Sequence, residues 1–159
     1  MTKAWLIEVV SRIAVAPVLA LWLALAFAGP AAAQALEPLT IVTASGEHAF
    51  QVEIANTVDQ RAKGLMYRRF MPADRGMLFE FETNAPVGFW MENTYISLDM
   101  VFISPNGTVT RVFPNAEPMS QAVIPSGGPC LGVLEINAGV AAKIGLAVGD
   151  KVRAAFFKS

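Results

Sequence analysis

Turn residues cut the chain beyond Leu39 into segments too short for a long helix and suited to strands. Leu39 to Ala44 is a β-branched run and Ser45-Gly46 is a turn signal. From His48 the residues alternate, with Phe50, Val52 and Ile54 on one face and Gln51 and Glu53 on the other. This predicts a first hairpin. A second is clearer still: Leu98 to Ser104, the turn Pro105-Asn106-Gly107, then Thr108 to Phe113. Met77 to Phe81 and Val87 to Met91 read as short strands parted by the breakers Asn84 and Pro86. Leu131 to Ile136 and, after the Gly149-Asp150 turn, Lys151 to Phe157 complete the set.

Helix is confined to two short pieces. Thr57 and Gln60 stand at capping-box spacing and Gly64 is a stop, so Val58 to Lys63 is predicted helical. Asn137 is placed to cap a second helix that runs to Lys143 or Ile144 and ends at Gly145. Many short strands with two brief helices predict a mainly β fold, a compact β-sandwich or partly closed barrel with one or two short helices. No glycine-rich strand-to-helix loop for phosphates and no long amphipathic helix is present.

The residues before this domain follow another pattern. Of the first 35, 26 are hydrophobic, against about half of the remainder, which is ordinary for a globular domain. Lys3 and Arg12 precede an apolar run from Ile13 to Ala28, Gly29-Pro30 breaks it, and Ala31, Ala33 and Ala35 offer two A-x-A frames. This predicts a signal peptide over residues 1–35, cleaved after Ala33 or Ala35, and a single domain over 36–159. An uncleaved anchor is the alternative, but Ile13 to Ala28 counts only 16 residues against the roughly 20 that span a bilayer. The expected location is therefore outside the cytoplasm, periplasmic or extracellular, with membrane contact only through the leader before cleavage. The only cysteine, Cys130, lies far from the cleavage frames, and no arginine pair precedes the apolar run. One cysteine also excludes an internal disulfide framework and a four-thiolate zinc site. A net charge of −1 supplies no basic field for nucleic acid.

Several motifs recur in an order that resembles a known family. Gly64-Leu65-Met66 with Arg68, Gly76-Met77-Leu78-Phe79, Phe89-Trp90-Met91, Asn93-Thr94, Leu98-Asp99-Met100 with Phe102, Leu134-Glu135, Gly139 and Gly149-Asp150 are similar to the signature of domain-of-unknown-function family 192. The resemblance spans Leu39 to Phe157. It implies a small β-rich fold, frequently exported in bacteria, and no established activity. Three positions depart from the family pattern: Glu92 replaces a basic residue, Ser97 a proline, and Leu131-Gly132 an arginine and an aromatic residue.

Chemistry concentrates between Phe89 and Phe102. Trp90, the only tryptophan after Trp5 and Trp22 of the leader, reads either as core or as the stacking wall of a pocket. Asn93 and Thr94 read as turn or strand-end residues. A strand period places Asp99 on a face with Val101 and Ile103, where a carboxylate is costly unless bonded. It is either a site carboxylate or a buried residue pinned by backbone amides or by Arg61, Arg68 or Arg69, of which Arg68 lies in the family motif. Carboxylate pairs for hydrolysis are sought among Glu80, Glu82, Glu92, Asp99 and Glu135, whose separations the sequence leaves open.

A Cys130–His48 nucleophile and thioether binding of Cu(I) through Met66, Met71, Met77, Met91, Met100 and Met119 are further readings, against which buried cysteine and methionine are ordinary core residues. No metal-ligand motif is present, so no cofactor is expected. Asn106-Gly107-Thr108 matches a glycosylation acceptor but reads first as a hairpin turn.

Together these predict an exported binding or accessory module of the cell envelope, with a pocket near Arg68, Trp90, Asn93 and Asp99 and with Glu135 as a further ligand-binding candidate. A small molecule or envelope component is the expected partner. The alternative is an acid/base hydrolase using Asp99 or Glu135.

Overall fold

The computed structural model describes residues 35–157. The expected signal peptide and its cleavage frames lie outside the described residues, apart from Ala35. The described chain runs β1 (Leu36–Thr43), β2 (Gly46–Ala55), α1 (Val58–Lys63), β3 (Arg75–Ala85), β4 (Gly88–Phe89), β5 (Leu98–Ile103), β6 (Val109–Ala116), β7 (Ile124–Pro125), β8 (Cys130–Asn137), α2 (Val140–Lys143) and β9 (Lys151–Arg153).

Seven strands form one sheet in the order β6-β5-β8-β3-β2-β1-β9, and β4 pairs with β7 in a small second sheet. Within the large sheet β2 and β3 run parallel. A parallel pair needs a crossover, and α1 with the loop after it supplies one. The two edge strands meet at one corner. Thr108 bridges Lys151, Val109 N donates to Asp150 O, and Val152 N donates to Gly107 O. Of the two expected architectures the sheet takes the barrel, curled and closed only at that corner.

Both faces of the central strands are covered. On one, Val101, Ile103, Leu134 and Ile136 pack with Leu39, Ile41 and Phe50. On the other, Met100, Phe102 and Val133 pack with Met77, Phe79 and Leu65. Burial on both sides is why β5 reads as a continuous apolar run rather than an alternating one.

Local signals account for α1. Gln60 N donates to Thr57 Oγ1 at 3.2 Å, and Thr57 N donates to Gln60 Oε1 at 3.1 Å, the reciprocal capping box the sequence predicts. Asn106 acts as a turn residue, accepting at Oδ1 from Thr108 N and Ser104 Oγ.

Three expectations change. Val87 to Met91 contributes only the two residues of β4, while β3 continues through Asn84 to Ala85. Asn137 ends β8 and donates Nδ2 to the carbonyls of Met71 and Pro72, so Gly139, at φ 83°, precedes α2 instead. Strand β9 stops at Arg153 because the chain turns back. The Phe157 ring lies against Gly132, where a Cβ would come within 2.8 Å of its Cζ.

Candidate functional site

Glu135 lies on β8 with its side chain on the face of Val133, flanked in register by Met77 of β3 and Met100 of β5. It is 4% exposed. Among the described residues no hydrogen bond from another group reaches its carboxyl, and since no fully enclosed side-chain polar atom there lacks a partner, its oxygens open into a pocket of about 350 Å³. A carboxylate so enclosed sheds much of its hydration and has no protein partner to replace it, which favours the protonated form. Burial alone pushes the Glu135 carboxyl up to about 8.

Aromatic side chains make the walls. Phe79 and Phe89 meet edge to face with centroids 4.9 Å apart, and Phe81 packs on Phe89 in the same way at 6.4 Å. Trp90 stands at the open side, 52% exposed. The core reading of Trp90 is therefore corrected: two-residue β4 ends before it, so no strand carries the ring inward. Thr94 completes this side, buried, with its hydroxyl donating to Glu92 O at 3.2 Å.

The opposite wall is α1 and its exit. Arg61 lies over the Phe81 ring, 5.4 Å from its centroid, and donates to Asn56 O at 2.6 Å and Glu80 O at 2.9 Å. Lys63 is exposed and lines the pocket. Gly64 then lets the chain pass directly over Phe79. Its φ is 46°, and a Cβ would sit 3.1 Å from Phe79 Cζ. Of the non-glycine residues with positive φ among the described residues, Asn115 lies on β6 against Asp99 and the others lie beside this site. Tyr67 (φ 65°) donates its N–H to the carbonyl of Asn93 (φ 54°), and Met119 (φ 64°) donates to that of Thr94. Such outliers persist where surrounding contacts fix them and cluster at ligand clamps.

The five sequence candidates do not form one cluster. Trp90 and Glu135 line the pocket. Asn93 is adjacent through the backbone turn that places Thr94. Arg68 makes a two-pronged ion pair with Glu53, both contacts 2.5 Å; Glu53 pairs with Met77 and so shares the cross-sheet row of Glu135. Asp99 lies on the other face. It is fully buried, with Oδ1 accepting from Asn115 N and Oδ2 from Ala141 N, each at 2.9 Å. Backbone amides, not an arginine, satisfy it.

Glu135 is thus the sole carboxyl among the residues that line the pocket. His48 Nε2 is engaged with Ser45 Oγ at 2.9 Å, while Cys130 is buried beside Ser126, its thiol pushed up by burial. Met71, Met77, Met91 and Met100 pack in the core with Cys130; Met66 lines the pocket and Met119 is exposed. Among the described residues no group of three or more His, Cys, Asp or Glu is placed to hold a metal ion. Of the three departures from the family pattern, Ser97 Oγ donates to Ala116 O at 2.8 Å and Gly132 makes room for Phe157.

Sequence reasoning missed Arg61, Lys63 and the three phenylalanines as pocket residues. The available signal was Gly64: a helix stop leading straight into Leu65-Met66 marks a close approach of backbone to another element.

Fold and pocket define a small curled β half-barrel with an aromatic cavity that has Glu135 in its lining. The chain belongs to the DUF192 family, described as an uncharacterized ACR, whose model matches residues 40–154. It is similar to a Sinorhizobium meliloti protein described as a candidate transcription regulator, with TM-score 0.76 and 45% identity, covering 79% of this chain and 98% of that one. A Novosphingobium aromaticivorans protein of unknown function is also similar, with TM-score 0.75 and 39% identity over 79% of this chain and 89% of that one. No curated protein matches significantly.

Proposed function

We propose that this protein is an exported small-ligand-binding module of the cell envelope, with the Glu135 pocket as its binding site. The observation that carries the reading is the Glu135 carboxyl, buried without a protein partner and open to a cavity walled by aromatic rings. An acid kept in so costly a state is explained by a ligand that bonds it. The cavity, about 350 Å³, falls within the range of small-molecule sites. Export rests on the order of the leader, basic, then apolar, then small. A carboxylate-pair hydrolase needs a second carboxyl in reach, and the pocket lining offers Glu135 alone.

The test is a fragment screen by thermal shift on the wild-type protein and on Ala62→Trp, which places a large ring in the cavity from an exposed helical position. A ligand raises the melting temperature of the folded state by mass action. Fragments that stabilise the wild type and not the variant support the reading; no stabilising fragment, or equal shifts in both proteins, sinks it. The exported part is tested by the N-terminal mass of protein recovered outside the cytoplasm, and a retained Met1 contradicts cleavage.

A further inference from the structure

We infer that the pocket takes a small organic carboxylate with a flat apolar body, its charge at the mouth beside Lys63 and Arg61 and a hydrogen-bond acceptor at its inner end against Glu135. This rests on the reading of the cavity as a ligand site and specifies the ligand's chemistry.

Charge at the site decides the class. From α1 come Arg61 and Lys63, both cationic; from β8 comes Glu135; β3 contributes Phe79 and Phe81, and the segment after β4 contributes Trp90 and Thr94. Asp59, four residues before Lys63 on α1, and Glu82 of β3 are not among the lining residues. Glu53 is held by Arg68, Glu80 turns to Asn56 and Glu37, and Glu92 is not among the lining residues. Neither cation offsets the burial of Glu135, whose carboxyl is displaced by desolvation alone. The acid therefore stays protonated at neutral pH and presents an O–H donor at the inner end, while the mouth carries two positive charges.

A cationic ligand meets repulsion at the mouth and must first strip the proton from Glu135. An anion meets attraction at the mouth, and a carbonyl or ether oxygen at its far end accepts the Glu135 proton in a hydrogen bond. Between the two ends, Phe79, Phe89 and the half-exposed face of Trp90 suit a planar ring.

The experiment is calorimetric titration of the purified protein with 4-acetylbenzoate and its matched cation, 4-acetylbenzylammonium, at pH 6.5 and 9.0. The anion is expected to bind at least tenfold more tightly than the cation at pH 6.5. Its affinity should fall about tenfold by pH 9.0, one unit above the Glu135 transition, as the donor is lost. Glu135→Gln keeps an N–H donor and should make affinity flat between the two pH values; Lys63→Glu should weaken the anion several-fold at both. Tighter binding of the cation, or anion binding that strengthens with pH, overturns the ligand class and leaves the pocket reading standing. Failure of both probes together with an empty fragment screen overturns both.

Discussion

Asp99 and Glu135 occupy neighbouring strands one residue out of register, and their carboxyls consequently lie on opposite faces of the same sheet. Asp99 pairs with Ile136, and Glu135 pairs with Met100. Side chains alternate along a strand, so this single step separates the two acids into different environments. One accepts two backbone amides and joins β5 to β6 and α2. The other has no hydrogen-bond partner among the described residues and faces a cavity. The first is a structural tie and the second an acid free to bond a ligand, and the two acids cannot serve as one catalytic pair.

The upward displacement of the Glu135 pKa makes stability depend on pH with a definite sign. Between the unfolded value of 4.5 and about 8 the folded protein holds a proton that the unfolded chain has released. Stability therefore falls as pH rises through that window and is flat above it. The loss is about 3 to 5 kcal/mol. Glu135→Gln removes it, so urea unfolding at pH 5 and pH 8.5 should show the variant gaining on the wild type by that order at the higher pH. Parallel stability curves would show that the carboxyl finds compensation on ionising.

Asp99→Ala should destabilise by about 2 to 4 kcal/mol, since it leaves two buried N–H groups without acceptors. Asp99→Asn keeps one acceptor oxygen and turns an N–H₂ toward the other amide, so it should fall between wild type and Ala. Chemical denaturation orders the three. If Asn equals wild type, the second amide bond contributes nothing.

Gly132 and Phe157 should behave as a coupled pair. A methyl at residue 132 enters the Phe157 ring at 2.8 Å, so Gly132→Ala must lift the ring from the core, at a cost of about 1 to 3 kcal/mol. Phe157→Ala alone should cost about 3 kcal/mol through lost burial. The double variant should cost less than the sum, because the clash disappears with the ring. Strict additivity in a double-mutant cycle would place the two contacts apart.

What the sequence displays depends on the range of the interaction. Helix α1 is legible because Thr57, Gln60 and Gly64 act within a few residues of one another. The hairpins around Ser45-Gly46 and Asn106-Gly107 are legible for the same reason. The parallel pairing of β2 with β3 is not, since alternation carries no strand direction and the pairing joins residues across the whole crossover. Period-two reasoning singles out Asp99 as an acid on an apolar face and applies equally to Glu135. It cannot say which face holds the cavity, because α1, Gly64 and the segment after β4 build that cavity from three separate parts of the chain. Trp90 sits in an apolar run that reads as strand, and only the early end of β4 brings the ring to the surface.

Helix α1 should open locally before the sheet does. It has no buried residue of its own. The capping box, the Arg61 bonds to Asn56 and Glu80, and the seat of Gly64 on Phe79 hold it in place. β5, by contrast, is buried at every position. Elements with few buried contacts exchange their amide hydrogens through local opening, far below the global unfolding free energy. Thr57→Ala removes the side-chain acceptor for Gln60 N and should cost α1 about 1 kcal/mol. Amide exchange at Arg61 and Gly64, whose N–H groups bond Thr57 O and Gln60 O, should then quicken about fivefold while β5 is unchanged. A pocket ligand should reverse this, because it bridges α1 to the aromatic wall and binds only the closed arrangement. Exchange in α1 as slow as in β5, or a Thr57→Ala effect spread evenly over both, would instead make this wall part of the global folding unit.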